Sequence, residues 1–293
     1  MFITQLVQQV IGGISIGAIY CLLALGFSLM SRAINVIHFA QGDFFMLGGF
    51  ASITFYLILK LPFWLSIILS TLCVSCVGIA FERIAYKPLW KSHHVFILMS
   101  TAATSIVLSN SAVLIWGPDA WRFPRIFSDQ VLNLSGILIP VEMLWISISA
   151  VVIMILFNAF LQKTKLGKGF RAAAQDREMA QGMGVNLKLA DSFVFGASAG
   201  LGAVGGVLVA PILFVTPYMG LIYTIKGFTA AVLGGMGSIR GAILGGFLLG
   251  IMENLSAAFI SSTYKDAIVF VLLLLLLLFK PSGLLLKPTV EKV

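Results

Sequence analysis

Charged side chains are scarce in this sequence, and their scarcity limits the possible folds. Asp, Glu, Lys and Arg make up 10% of the 293 residues, whereas hydrophobic residues make up 59%. A soluble domain carries about 25% charged residues, so the composition argues against a water-soluble globule. Several apolar runs approach the length of about 20 residues that crosses a bilayer as a helix. We therefore predict an all-α, polytopic helical membrane protein.

Cysteine is scarce too. The three cysteines, Cys21, Cys73 and Cys76, all lie inside apolar runs. Cys73 and Cys76 have C-x-x-C spacing, but no second cysteine pair or nearby histidine accompanies them, so we interpret them as core packing. The N-terminus lacks the basic segment of a secretory signal, and the first apolar run is long enough to span. No cleavable signal peptide is therefore expected.

The motifs of several enzyme classes are absent. No G-x-x-x-x-G-K-[ST] segment is present to hold the phosphates of ATP, and no histidine has a second His or a carboxylate at zinc spacing. Residues 200–205 match G-x-G-x-x-G and residues 196–200 match G-x-S-x-G, but both lie in one apolar run and are typical of close helix packing. We predict that the chain is not an enzyme and binds no metal or cofactor itself.

The positive charge is informative about orientation. The net charge is +8, and in a membrane protein Lys and Arg collect in the short loops that stay cytoplasmic, so no nucleic-acid partner is expected. Alternation of basic and non-basic loops predicts an N-terminus outside and a C-terminus inside. The expected crossings are roughly Leu6–Leu29, Ile34–Ile58, Pro62–Ala80, Val95–Trp116, Val141–Leu161, Phe193–Leu213, Leu221–Gly235, Gly241–Ile260 and Ala267–Phe279.

One of these crossings leaves the count open. Leu221–Gly235 is short and contains Lys226, so it is either a tilted helix or a broken, re-entrant one. A full crossing gives nine transmembrane helices and a cytoplasmic tail, whereas a re-entrant segment gives eight. The basic C-terminal tail favours nine.

Polar side chains inside apolar segments are candidate functional residues, because placing them in a membrane is unfavourable. The segment from Asn35 to Asp43 either faces protein or a water-filled path, or forms an interfacial cap before a helix that begins near Phe44. Lys226 and Glu253 either belong to a functional site or lie near interfaces. The candidates for a translocation path are Asn35, His38, Gln41, Asp43, Lys226 and Glu253, with Asn254 beside the last of these.

The longest polar interruption is Lys163–Asp191. Its middle, Arg171–Met183, is rich in residues that favour a helix, and Gly182 and Gly184 are expected to end that helix. Small and flexible side chains recur there at helical spacing, on one side of the helix. Such a helix is too small to be a domain, so we expect another chain to hold it.

Three segments in order resemble the branched-chain amino-acid ABC transporter permeases of the LivH type. Residues 34–43 read INVIHFAQGD, residues 171–186 read RAAAQDREMAQGMGVN and residues 230–241 read AAVLGGMGSIRG. The resemblance covers nearly the whole chain. The sequence differs from the family pattern at two places. Residues 38–42 replace the common Asn-Phe-Ala-His-Gly, and Arg240 stands where Pro is frequent. The first departure moves the imidazole three residues earlier.

The resemblance implies a single transmembrane permease domain over residues 1–293 in the bacterial inner membrane, with a cytoplasmic coupling segment at 162–191. It implies four kinds of partner: a second homologous permease subunit, two cytoplasmic ATPase subunits that hold ATP and Mg²⁺, an extracytoplasmic amino-acid-binding protein and the lipid bilayer. Contact with the ATPase is implied for Arg171, Ala172, Asp176, Met179, Ala180, Gly184 and Asn186.

The substrate implied is a branched-chain or other hydrophobic amino acid, although related permeases carry urea or short amides. An apolar path lined by glycine-rich helices suits such a substrate. The alternative is a self-sufficient secondary transporter or channel for a small amide or amino acid. Asp43 and Glu253, with Glu142 at the very start of the fifth crossing, are the only acidic residues in the predicted crossings, which argues against coupling through a chain of carboxylates.

Overall fold

The computed structural model describes residues 2–34, 36–90, 92–124, 131–134, 137–280 and 283–285. This part of the chain is a bundle of α-helices with one short antiparallel hairpin. The helices are α1 Phe2–Ile34, α2 Gln41–Ile53, α3 Phe63–Phe81, α4 His94–Trp116, α5 Val141–Lys163, α6 Lys165–Ala173, α7 Arg177–Gly182, α8 Leu187–Val209, α9 Met219–Gly234, α10 Ile239–Phe259 and α11 Lys265–Phe279. The hairpin pairs β1 Val131–Leu134 with β2 Ile137–Pro140.

Six helices in the described part are long and apolar enough to cross a membrane: α1, α3, α4, α5, α8 and α10. A seventh, α9, is a shorter apolar helix. The predicted count of eight or nine is not confirmed. The six long helices include neither α2, which has 13 residues and is continued by the π-helical segment Thr54–Ile58, nor α11, which has 15 residues. The interpretation of Leu221–Gly235 as a broken helix is wrong, since α9 is continuous from Met219 to Gly234.

The third, fourth and fifth predicted segments agree with α3, α4 and α5 at both ends to within about two residues. A π-helical segment (Glu82–Tyr86) and a 3₁₀ turn (Lys87–Leu89) extend α3. The interpretation of Cys73 and Cys76 as core packing is wrong. Cys21 is buried, but Cys73 and Cys76 are exposed on α3 and so do not pack in the core.

Helix α1 lies at the centre of the bundle, against α5, α8, α9 and α10. Its contact with α10 is formed by glycines, as the small-residue spacing predicts. A Cβ atom added at Gly13 would lie 2.7 Å from the Cα atom of Ile251, and one added at Gly17 would lie 2.9 Å from that of Phe247. The two backbones are therefore in direct contact, without side chains between them.

Helix α2 is enclosed by protein. All of its residues except Leu47 are buried, and it packs mainly against α8 and α9. A Cβ atom at Gly48 would overlap the backbone of Ala203 on α8, and one at Gly206 would overlap the backbone of Phe45 on α2. This close approach allows α2 to lie inside the bundle, and it fixes the position of the first residues of α2.

We predict that Gly13→Ala lowers the stability of the protein, because the added methyl group would push α1 away from α10. The expected loss is about 1 to 3 kcal/mol, as for other overpacked interiors. The measurement is the thermal unfolding midpoint of the detergent-solubilised protein. Gly182→Ala is the matched control, since nothing lies within 4 Å of a Cβ atom at Gly182. Equal midpoints for both variants would contradict the packing argument.

Candidate functional site

The polar residues at the start of α2 lie inside the protein, although Asn35 is outside the described residues. Helix α2 begins at Gln41, and His38, Gln41 and Asp43 are each 0% exposed. The interpretation of this stretch as an interfacial cap before Phe44 is therefore wrong. The polar side chains face other parts of the bundle.

The imidazole of His38 is surrounded by phenylalanine rings. Its ring centroid lies 4.7 Å from that of Phe81, 5.4 Å from that of Phe44 and 6.1 Å from that of Phe195. Neither ring nitrogen has a hydrogen-bond partner among the described residues. In this conformation the side chain packs as an aromatic ring and does not face an open path.

Gln41 joins three helices through hydrogen bonds. Its Nε2 donates to the carbonyl oxygen of Ser198 at 2.9 Å, and the Ser198 hydroxyl donates to Gln41 Oε1 at 2.8 Å. The same hydroxyl also lies 3.0 Å from the carbonyl oxygen of Gly26, a second acceptor. Gln41 thus holds the first turn of α2 against α1 and α8.

Asp43 and the preceding glycine connect α2 to α4 and α9. The hydroxyl of Ser109 on α4 donates to Asp43 Oδ1 at 3.0 Å, and Asp43 Oδ2 has no hydrogen-bond partner among the described residues. The backbone N–H of Gly42 donates to Thr224 Oγ1 on α9 at 2.9 Å, and that hydroxyl donates to the carbonyl oxygen of Phe39 at 3.1 Å. These contacts place a buried carboxylate at the junction of three helices.

A second polar cluster contains Lys226 of α9 and Glu253 of α10. Lys226 Nζ lies 2.8 Å from Glu253 Oε1 and 2.8 Å from Asp266 Oδ1. The hydroxyl of Tyr20 on α1 donates to Glu253 Oε2 at 2.6 Å, and Lys265 Nζ lies 3.5 Å from Glu253 Oε1. The cluster therefore unites four helices and contains two cations and two anions.

Burial divides this cluster into two parts. The side chains of Lys226 and Glu253 are only 6% and 5% exposed, whereas those of Lys265 and Asp266 are 41% and 44% exposed. Lys226 and Glu253 are each enclosed by protein and paired, and the alternative that they lie near the membrane interfaces stays a prediction. The sequence analysis did not predict that Tyr20, Lys265 and Asp266 belong to this cluster. The signal that could have indicated them is that a buried charge requires a partner.

Asn254, next to Glu253, has a different role. Its Nδ2 donates to the carbonyl oxygen of Gln9 on α1 at 2.7 Å. It thus joins α10 to α1 at a point where the side chain is partly exposed.

The polar segment 162–191 forms two short helices, so the predicted single helix from Arg171 to Met183 is wrong. Helix α6 ends at Ala173 and α7 begins at Arg177. The break occurs because Asp176 caps α7, its Oδ1 accepting the backbone N–H of Met179 at 2.9 Å. Asp is favoured at a helix N-cap and disfavoured inside a helix. Asn186 caps α8 in the same way.

The residues implied in partner contact differ in their exposure. Met179 and the neighbouring Met183 are 67% and 83% exposed. Asp176, Gly184 and Asn186 are also exposed, and Arg171 and Ala172 are half-buried. Ala180 is 2% exposed and packs against other alanines of α6 and α8. Ala180 therefore does not lie on the surface of this chain.

The described part of the chain is a bundle of apolar helices that encloses two clusters of polar side chains. A family model for the permease component of branched-chain amino acid transport systems matches residues 9–277. The LivH permease protein of the high-affinity system in Salmonella typhimurium is 35% identical over 301 residues, which cover 98% of this chain and 97% of that protein. The BraD permease protein of Pseudomonas aeruginosa is 34% identical with the same coverage. No solved structure matches the chain.

The chain belongs to the family of branched-chain amino acid transport permeases. The predicted resemblance is thereby confirmed, and so is the prediction of a membrane protein with several helices. The relatives are transport permease components, which are not enzymes themselves.

We predict that Lys226→Met destabilises the protein by roughly 3 to 5 kcal/mol, because it leaves Glu253 buried without its main partner. Glu253→Gln should have a similar effect. The double variant should lose much less than the sum, since both buried charges are removed together. Thermal unfolding of the four proteins in detergent measures this.

The control for this prediction is Lys265→Met, which removes the half-exposed lysine of the same cluster. Its loss should be about 1 kcal/mol or less, because exposed ion pairs contribute little. Strictly additive effects of the Lys226 and Glu253 substitutions would show that the two side chains do not depend on each other.

Proposed function

We propose that this chain is the permease subunit of an ATP-driven importer for branched-chain or other hydrophobic amino acids, and that it forms half of the translocation path. The observation that carries the proposal is membership of the permease family over nearly the full length of the chain. A second permease subunit, two cytoplasmic ATPase subunits and an extracytoplasmic binding protein complete the transporter. ATP and Mg²⁺ are held by the ATPase subunits.

The segment 162–191 is the surface that binds the ATPase. It is the longest polar stretch of an apolar chain, and it exposes two methionine side chains, which suit a flexible apolar contact. Its lysines and arginines support a cytoplasmic location, as do the lysines of the C-terminal tail. The N-terminus then lies outside the bacterial inner membrane.

The translocation path follows the side of the bundle where the Lys226–Glu253 cluster reaches the surface. A zwitterionic substrate carries one ammonium and one carboxylate group, and the half-exposed Asp266 and Lys265 offer the opposite charges. His38, Gln41 and Asp43 act on the path indirectly, by holding the start of α2 between α4, α8 and α9. The proposed role of Asn35 in the path rests only on its position in the same sequence motif.

We predict ATP-dependent uptake of leucine, isoleucine or valine by the complete complex in liposomes. The experiment combines this chain with its second permease, the ATPase subunits and the binding protein, and measures uptake of labelled amino acids, urea and short amides. Uptake should stop when the ATPase carries an inactivating substitution. Ionophore-sensitive uptake by this chain alone would instead support a secondary transporter.

We also predict that the double variant Met179→Asp/Met183→Asp loses the ATPase during co-purification, because two charges replace the apolar surface of the segment. The thermal unfolding midpoint of the bundle should be unchanged, since both side chains are exposed. Arg83→Gln is the control, as Arg83 is an exposed residue of the connection between α3 and α4. Retention of the ATPase by the methionine variant would exclude this surface as the contact.

A further inference from the structure

Arg177, the first residue of α7, contacts three separate parts of the bundle. Its Nη2 donates to both carboxylate oxygens of Asp191 on α8, at 3.0 and 2.8 Å. Its Nη1 donates to the carbonyl oxygen of Ala33, in the last turn of α1, at 3.2 Å. The guanidinium carbon lies 4.1 Å from the ring centroid of Trp90, which precedes α4. One side chain thus connects α7 to α1, to α8 and to the connection between α3 and α4.

A series of ring contacts continues from Trp90 into the interior. The Trp90 and Tyr86 centroids are 5.8 Å apart, and the Tyr86 and Phe195 centroids are 4.8 Å apart. Phe195 contacts Phe81 at 5.7 Å, and Phe81 contacts His38 at 4.7 Å. We call these five residues, Trp90, Tyr86, Phe195, Phe81 and His38, the aromatic chain.

The aromatic chain ends at the start of α2. The imidazole of His38 is stacked 5.4 Å from the ring of Phe44, in the first turn of that helix. Because both ring nitrogens of His38 are without partners in the described part of the chain, its position is determined by packing. Closely packed interiors are nearly incompressible and transmit displacement. A shift of Trp90 therefore displaces the rings behind it.

The surroundings of Arg177 leave room for such a shift. A cavity of about 360 Å³ lies on one side and is lined by Arg177, Trp90 and Lys188, among others. A cavity of about 380 Å³ lies on the other side and is lined by Arg177, Trp90 and Arg32, among others. The stacked pair of Arg177 and Trp90 thus borders two spaces in which side chains can move.

We propose that Arg177 is a positioning residue that transmits ATP-driven movement of segment 162–191 to the bundle, through α1 and α8 directly and through the aromatic chain to the start of α2. The proposal rests on the proposed function, in which that segment binds the ATPase. A contiguous set of physical contacts is what such coupling requires. Gln41 and Asp43, which join α2 to its neighbours, are the groups that the movement reaches.

The guanidinium is suited to this role in a way that an ammonium is not. Its planar group binds a carboxylate with two hydrogen bonds, stacks on an aromatic face and retains a further donor for a carbonyl oxygen. A lysine at position 177 keeps the charge and the pairing with Asp191. It cannot also stack on Trp90 and reach the carbonyl of Ala33.

The test uses the complete reconstituted complex and measures the amino acid transported per ATP hydrolysed. We expect Arg177→Lys and Trp90→Ala each to lower this ratio by about fivefold or more, with the ATPase still bound and ATP still hydrolysed. Trp90→Phe keeps an aromatic ring at that position, so this variant should retain most of the ratio measured for the unsubstituted complex. The control is Arg83→Lys, an exposed arginine of the α3–α4 connection, which should leave the ratio unchanged.

Two results overturn the proposal. In the first, Arg177→Lys and Trp90→Ala leave the ratio unchanged. In the second, transport and ATP hydrolysis fall in parallel and Trp90→Phe behaves like Trp90→Ala, as expected if these residues only stabilise the fold. Failure of the unsubstituted complex to couple ATP hydrolysis to uptake would instead contradict the proposed function, which separates the two conclusions.

Discussion

The burial of a charged pair in an apolar bundle is the constraint on which the arrangement of its helices depends. An ion taken out of water is destabilising unless a partner and further hydrogen bonds compensate for the lost hydration. Lys226 and Glu253 meet this requirement only when α9 and α10 are adjacent, and Tyr20 and Asp266 add α1 and α11. A displacement of α9 or α10 separates the buried ion pair, and a displacement of α1 or α11 removes a further contact to it. The cluster therefore fixes four helices relative to one another.

The polar motif before α2 follows from a similar constraint. Irregular backbone is tolerated at membrane depth only where protein encloses it, because no water is available for its polar groups. Helix α2 starts inside the bundle, and its first residues find partners on neighbouring helices: Thr224 accepts the N–H of Gly42, and Ser198 pairs with the amide of Gln41. The polar residues of this motif thus serve the beginning of a buried helix.

The sequence predicts some of these features and not others. Helices α3, α4 and α5 are uninterrupted apolar runs between polar loops, so their limits follow from composition. The glycine spacing on α1 predicts close packing, which is observed against α10. The pairing of Lys226 with Glu253 joins positions 27 residues apart, and no local pattern encodes it. The break at Asp176 was not predicted from the sequence. The alanines before Asp176 favour a continuous helix, but the carboxylate of Asp176 caps a new helix and so ends the first one.

That break determines how α7 can act on the rest of the molecule. A continuous helix would transmit movement through its backbone, from α6 to α7. Because Asp176 ends this continuity, α7 is a separate short unit that exposes Met179 on one side and buries Ala180 on the other. Its connection to α1 and the α3–α4 connection is made by the side chain of Arg177. In the proposed coupling, movement imposed on the exposed side of α7 reaches α1 and the α3–α4 connection through the guanidinium group, whose planar shape then matters as much as its charge.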